Sequence, residues 1–187
     1  MLPERTDVLV VGAGPTGLTV AATLAGRGVD VTVVDRLAQP PVTSRAAVVH
    51  AYTLEELDRI GAAAPLVARG LPAPRFTVRD RDRVLLSVPF GTLPSRYPYA
   101  LMVPQSETEA VLTARLTALG GRVLRPYEMT GLTPDEGGAT VAFADGATVR
   151  ARWVSAQSAT SSAVNAGSVC SSSETPTTRS PASLNAR

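Results

Sequence analysis

Three glycines at fixed spacing, Gly12, Gly14 and Gly17, stand near the start of the chain in the stretch VVGAGPTGLTVAATLAGRGVDVTVVDR, residues 10–36. Each has a separate task in a turn that carries a strand into a helix. Gly12 supplies the backbone angles of a tight turn, Gly14 has no Cβ to block close approach of a pyrophosphate, and Gly17 lets helix and strand pack closely. A helix opening near Pro15 points free N–H groups and its positive dipole end at that anion, worth roughly 0.3–1 kcal/mol per favourable charge at an exposed end. Pro15 wastes no hydrogen bond there, because a first-turn N–H has no intrahelical partner. The following strand ends at Asp35, whose carboxylate can accept hydrogen bonds from both ribose hydroxyls and repels a 2′-phosphate. Ala13 and Thr16 complete the turn and Arg36 follows the acid. Together these residues are expected to hold the adenosine half of FAD or NAD rather than NADP.

The elements that must position this cradle are readable in order. Asp7 to Val11 is a short β-branched run bounded by glycine, which suits a parallel strand covered on both faces. Leu18, Ala21, Ala22, Leu24 and Ala25 recur at helical spacing from Pro15 to about Gly26, with Gly26 and Gly28 as stop signals. Val29 to Val34 completes a βαβ unit. After a proline-bearing loop, Ala46 to His50 is strand-like and leads into a helix on which Thr53 and Glu56 form a capping box and Leu54, Leu57 and Ile60 line one face. Arg75 to Asp80 and Arg83 to Val88 alternate as an antiparallel hairpin. Ala100 to Val103 reads as a strand, and Ser106 with Glu109 caps a helix running to about Leu119. Val123 to Leu124, Met129 to Leu132, Thr140 to Phe143 and Thr148 to Val154 read as short strands, with Asp145-Gly146 as a turn. An NAD-type half-domain would continue βαβ, whereas hairpins and a meander follow the second helix here.

Composition narrows the classes. In 187 residues with 44% hydrophobic and 18% charged residues, a single soluble domain is the expectation, and no apolar run approaches the roughly 20 residues a spanning helix needs. The 18 basic residues, all arginine, are scattered, and Arg79, Arg81 and Arg83 alternate with Asp80 and Asp82, which argues against nucleic acid as a partner. Cys170 has neither a disulfide partner nor metal-ligand companions, and the N-terminus lacks an apolar leader, so a cytoplasmic location and no metal are expected.

Three blocks, TDVLVVGAGPTGLTVAATLAGRGVDVTVVDR, SRAAVVHAYTLEELDRIG and VPQSETEAVLTARLTALGGRV, resemble in order and spacing the N-terminal part of the FAD-dependent aromatic-ring hydroxylases, the para-hydroxybenzoate and phenol hydroxylase group with its polyketide-tailoring oxygenases. The resemblance covers residues 6–154. It implies an α/β fold: a glutathione-reductase-type, Rossmann-like FAD-binding domain, incomplete here, with antiparallel hairpin and meander additions. It further implies that Gly12, Gly14 and Gly17 cradle the pyrophosphate and that Asp35, where the family more often has glutamate, takes the ribose. Arg45 matches an arginine that approaches the FAD phosphates and ribityl side, and Gln105 a glutamine that hydrogen-bonds the flavin side chain. His50 and Tyr52 depart from the family's H-P-R-T pattern, and His50 reads as structural. The implied reaction uses NAD(P)H to reduce FAD and a flavin hydroperoxide to hydroxylate a small aromatic substrate. The isoalloxazine carries that chemistry; no evident catalytic acid, base or nucleophile stands in residues 1–154.

At Ser155 the composition changes. From there to Arg187 the only charges are Glu174, Arg179 and Arg187, while Ser, Thr and Ala dominate without apolar periodicity. The division expected is therefore 1–154 as the N-terminal part of the FAD-binding domain and 155–187 as a low-complexity tail, either solvated and disordered or read in a displaced frame. The family's later Gly-Asp segments are not recognised; if the tail is read in a displaced frame, the isoalloxazine site and substrate-binding sheet are lacking, and the chain is then expected to bind FAD weakly or not at all and to hydroxylate nothing alone. An NAD-dependent oxidoreductase and a non-catalytic nucleotide-binding remnant stay open as alternatives, and the residues do not choose an oligomeric state.

Overall fold

The structure, a computed structural model, describes residues 1–40 and 48–156. Strand β1 (Arg5–Val11) leads through the glycine turn into α1 (Pro15–Ala25), and β2 (Val31–Val34) follows. Gly28, with φ of +78°, makes the reversal between α1 and β2, a conformation that costs a β-carbon-bearing residue more. The chain then passes through β3 (Val48–Val49), α2 (Ala51–Arg59), a short α3 (Ala63–Val67) and β4 (Leu71–Ala73) to the hairpin β5 (Arg75–Asp80) and β6 (Arg83–Pro89). It continues with β7 (Ala100–Met102), α4 (Gln105–Ala118), β8 (Val123–Leu124), β9 (Met129–Asp135), β10 (Gly138–Phe143) and β11 (Thr148–Ala156).

One six-stranded sheet, in the order β8-β2-β1-β11-β10-β9, organises the described residues. β8, β2, β1 and β11 run parallel, while β10 is antiparallel to both β11 and β9. The β-branched runs of β1 and β2 suit strands buried on both faces. One face, with Val8, Val10, Val31 and Val33, packs against Leu18, Ala21 and Ala22 of α1, Leu112 and Leu116 of α4, and Leu54, Leu57 and Leu66 of α2 and α3. The other, with Leu9, Val11 and Val34, forms a second cluster with Met129, Val141, Phe143, Val149 and Ala151. The hairpin β5–β6 stands apart as its own two-stranded sheet, and β3, β7 and β4 form a small third one.

Among the described residues the expected helices and strands are present, the strand expected over Ala46 to His50 covering Val48–Val49 there and Ala46 and Ala47 lying outside them, but the helix starts differ. α2 begins at Ala51 with His50 as its N-cap, which places Thr53 inside the first turn, while Glu56 instead pairs with Arg59 at 3.3 Å. α4 begins at Gln105 after Pro104, a residue with no N–H to offer a capping carboxylate, and Glu109 accepts a hydrogen bond from Gln105 Nε2 at 2.8 Å. Both capping boxes are therefore absent. The short strand Val123–Leu124 pairs in parallel with β2.

Asp135 and Arg150 tie the β9–β10 turn to β11: Arg150 Nη2 donates to Asp135 Oδ1 at 2.6 Å, and the Gly137 N–H donates to the same oxygen at 2.8 Å. The guanidinium hydrogen bond, then the backbone one, holds the Asp135 carboxyl below its ordinary value of 3.8. A carboxylate lowered in the native state contributes stability above its unfolded pKa and loses it as pH falls through the native one. Arg150→Met is expected to return the Asp135 titration, followed by carbon NMR of the carboxyl, toward the ordinary carboxylate range. An unchanged titration would refute the assignment.

Candidate nucleotide-binding site

The glycine turn lies at the carboxyl end of β1, where ligands of open parallel sheets bind. Gly12 has φ of +108°, and its N–H donates to the Val34 carbonyl at 2.8 Å, lashing the turn to β2. Gly14 is the N-cap of α1 in an extended conformation, and a Cβ built on it would meet nothing within 4 Å. Gly17 is the opposite case: a Cβ there would be driven into the Gly12 carbonyl oxygen and would crowd Val10. The two glycines thus serve different ends, one leaving space beside the helix N-terminus and the other allowing helix and strand to touch. Pro15 occupies the first helical turn, Thr16 is exposed there, Ala13 is buried, and the turn contains no acidic residue. The free N–H groups therefore face no anion supplied by their own helix.

Asp35 closes the mouth of this turn. Its Oδ2 accepts the Ala13 N–H at 2.7 Å, and its Oδ1 accepts the Leu37 N–H at 2.8 Å. Arg125, directly after β8, donates from Nη1 to Asp35 Oδ1 at 2.8 Å and to the Leu37 carbonyl at 3.0 Å. The backbone reinforces the alignment, because Asp35 N–H donates to the Leu124 carbonyl and Tyr127 N–H to the Asp35 carbonyl. The ends of β1, β2 and β8 thus converge on one carboxylate. This arrangement meets the steric and electrostatic needs of an adenosine diphosphate: space beside Gly14, unpaired amides at α1 and an acid aimed at the turn.

Of the other residues expected at the site, Arg36 is exposed beside Asp35, and Gln105 opens α4 with its amide engaged by Glu109. Arg45 lies outside the described residues. His50 is the N-cap of α2 without a side-chain cap bond, and Tyr52 is exposed. The sequence reading missed Arg125; its only signal was a cation at a strand end, uninformative until β8 is known to lie beside β2. Among the described residues no group of three potential metal ligands occurs, and no helix is long and apolar enough to cross a membrane.

A glycine turn between strand and helix, on a mixed sheet with a parallel core, defines the class: an α/β domain of the kind that binds nucleotides. The chain matches the FAD binding domain over residues 5–174 and belongs to that family, whose cofactor is FAD. The match continues past Val154, into residues outside the described structure. The chain is 45% identical over 138 residues to 6-methylpretetramide 4-monooxygenase of Streptomyces rimosus, an alignment covering 71% of this chain and 25% of that protein. Among solved structures it resembles p-nitrophenol 4-monooxygenase from Pseudomonas putida, with a TM-score of 0.77, 27% identity and coverage of 82% of this chain and 41% of that one. It also resembles the anhydrotetracycline hydroxylase of Streptomyces rimosus, with a TM-score of 0.73, 35% identity and coverage of 81% and 31%. The chain spans about a quarter of the length of these curated tetracycline-type monooxygenases, 6-methylpretetramide 4-monooxygenase and 12-dehydrotetracycline 5-monooxygenase/anhydrotetracycline 6-monooxygenase.

Because a methyl group at Gly17 must displace the Gly12 carbonyl, Gly17→Ala is expected to destabilise the fold by about 1–3 kcal/mol, in the range of overpacked cores. The measurement is a urea unfolding midpoint at constant m value. A midpoint equal to that of the parent chain contradicts the close approach.

Proposed function

We propose that this chain is the FAD-binding part of an NAD(P)H-dependent aromatic-ring monooxygenase, with residues 1–154 supplying the adenosine and pyrophosphate end of the cofactor site in a glutathione-reductase-type arrangement. The observation that carries this reading is the Asp35 carboxylate held against the Ala13 N–H at the mouth of the glycine turn. In the reading, the amides following Gly14 and the α1 dipole bind the pyrophosphate, and the open space at Gly14 admits it. Asp35 accepts the ribose hydroxyls and disfavours a 2′-phosphate, while Arg36, Arg45 and Gln105 approach the cofactor along its length. FAD, when bound, supplies the electron- and oxygen-transfer chemistry. The role of these residues is to bind and orient one end of it. The relatives named as monooxygenases of 6-methylpretetramide, pentachlorophenol and p-nitrophenol support a small aromatic substrate.

Titration with FAD, ADP and FMN, read by amide NMR shifts that register millimolar as well as tighter binding, tests the assignment. FAD and ADP are expected to perturb Ala13, Gly14 and the first turn of α1, and FMN, which lacks the adenosine half, is not. Gly14→Asp sharpens the test, because aspartate is a favourable N-cap and the position is sterically open, so stability should stay within about 1 kcal/mol of the parent. Its charge occupies the phosphate position, so ADP affinity should fall at least about tenfold by like-charge repulsion. Undiminished ADP binding by Gly14→Asp would sink the reading.

A further inference from the structure

Three strand ends lie side by side at the candidate site: Gly12 follows β1, Asp35 follows β2 and Arg125 follows β8. The third has no part in the glycine-and-acid pattern, yet its guanidinium is the most direct side-chain partner of the acid. The pair is largely withdrawn from solvent, with side-chain exposures of 16% for Arg125 and 14% for Asp35. A second bond from the same Nη1 to the Leu37 carbonyl fixes the guanidinium to the loop that follows the acid. A carboxylate offers about four lone-pair positions on its two oxygens. Among the described residues Oδ1 takes two donors, Arg125 and the Leu37 N–H, while Oδ2 takes the Ala13 N–H alone. The oxygen nearer the glycine turn is thus the one with acceptor capacity left.

We propose that Arg125 is a positioning residue for the adenosine ribose: it anchors Asp35 by Oδ1, so that Oδ2 is presented to the ribose hydroxyls beside the glycine turn. The proposal rests on the reading of Asp35 as the ribose acceptor and adds a residue that neither the glycine spacing nor the acid reveals. Without Arg125, the Ala13 and Leu37 amides are the remaining hold on the carboxylate among the described residues. Terminal torsions onto a planar carboxylate are broad, so two backbone amides alone leave it less well aimed. The guanidinium also gives the acid a charge-assisted hydrogen bond, stronger and more directional than a neutral one. Lysine at this position keeps the charge and loses the planar fork.

The test is the ratio of affinities of the chain for ADP and 2′-deoxy-ADP, measured by amide NMR titration for the parent, Arg125→Met, Arg125→Lys and Asp35→Ala. The parent is expected to prefer ADP by about tenfold, the scale of one hydrogen bond to a charged acceptor. Arg125→Met should bring that ratio close to one, as Asp35→Ala does, and Arg125→Lys should restore part of it. A merely structural role for Arg125 weakens both ligands equally and keeps the ratio, which overturns the proposal while leaving Asp35 as the ribose acceptor. If the parent discriminates and Asp35→Ala keeps the ratio, or if ADP does not bind at millimolar concentration, the underlying reading fails and the proposal with it.

Discussion

The approach of α1 to β1, closer than any side chain at Gly17 permits, is the constraint on which the arrangement depends. It lets Gly12 turn the chain at φ of +108° and brings the first turn of the helix directly over the carboxyl end of the strand. Leu18, Ala21 and Ala22 then reach Val8, Val10, Val31 and Val33, and α4 completes that layer with Leu112 and Leu116. The same closeness aims the helix amides outward at a place where no acidic side chain of α1 competes for them. The packing of the layer and the outward presentation of the helix amides are therefore consequences of one missing methyl group.

The second determinant is electrostatic and joins distant parts of the chain. Asp35 gathers donors from Ala13, Leu37 and Arg125, residues separated by up to 90 positions from the acid. Burying such a carboxylate without partners is unfavourable, and hydrogen bonds with an adjacent cation offset that penalty. The end of β8 is held in place for this by the backbone bonds of Leu124 and Tyr127 to Asp35. A two-residue strand with little core of its own thereby acquires a defined position.

The parts of the fold legible in the sequence are those whose pattern is local. β1, α1 and β2 were readable because glycine spacing, β-branched runs and helical periodicity agree within a short span, and the hairpins because their alternation and turns are contiguous. The helix starts were not, since a Ser or Thr three residues before Glu resembles a capping box whether or not the chain enters the helix there. Pro104 and His50 move those starts through backbone direction rather than side-chain bonding. α3 and β4 escaped notice because an alanine-rich turn and a three-residue strand carry too few residues to show a period. At the candidate site the glycines and Asp35 were visible, whereas Arg125 depends on strand order, a non-local property. Arg45 and the segment from residue 157 onward lie outside the described residues.

The β5–β6 hairpin carries one more consequence. Phe76, Val78, Leu86 and the neighbouring Leu85 are all exposed on a two-stranded ribbon, 53% in the case of Phe76, and such a ribbon is marginal in water without a covering layer. Its tip, however, is crowded with Arg79, Asp80, Arg81, Asp82 and Arg83, charges that act as gatekeepers against strand-to-strand stacking of neighbouring molecules. The ribbon is thus a place where neighbouring copies can meet: salt that screens the charges at its tip weakens their mutual repulsion and leaves the apolar strip as exposed as before, so self-association there should rise with ionic strength.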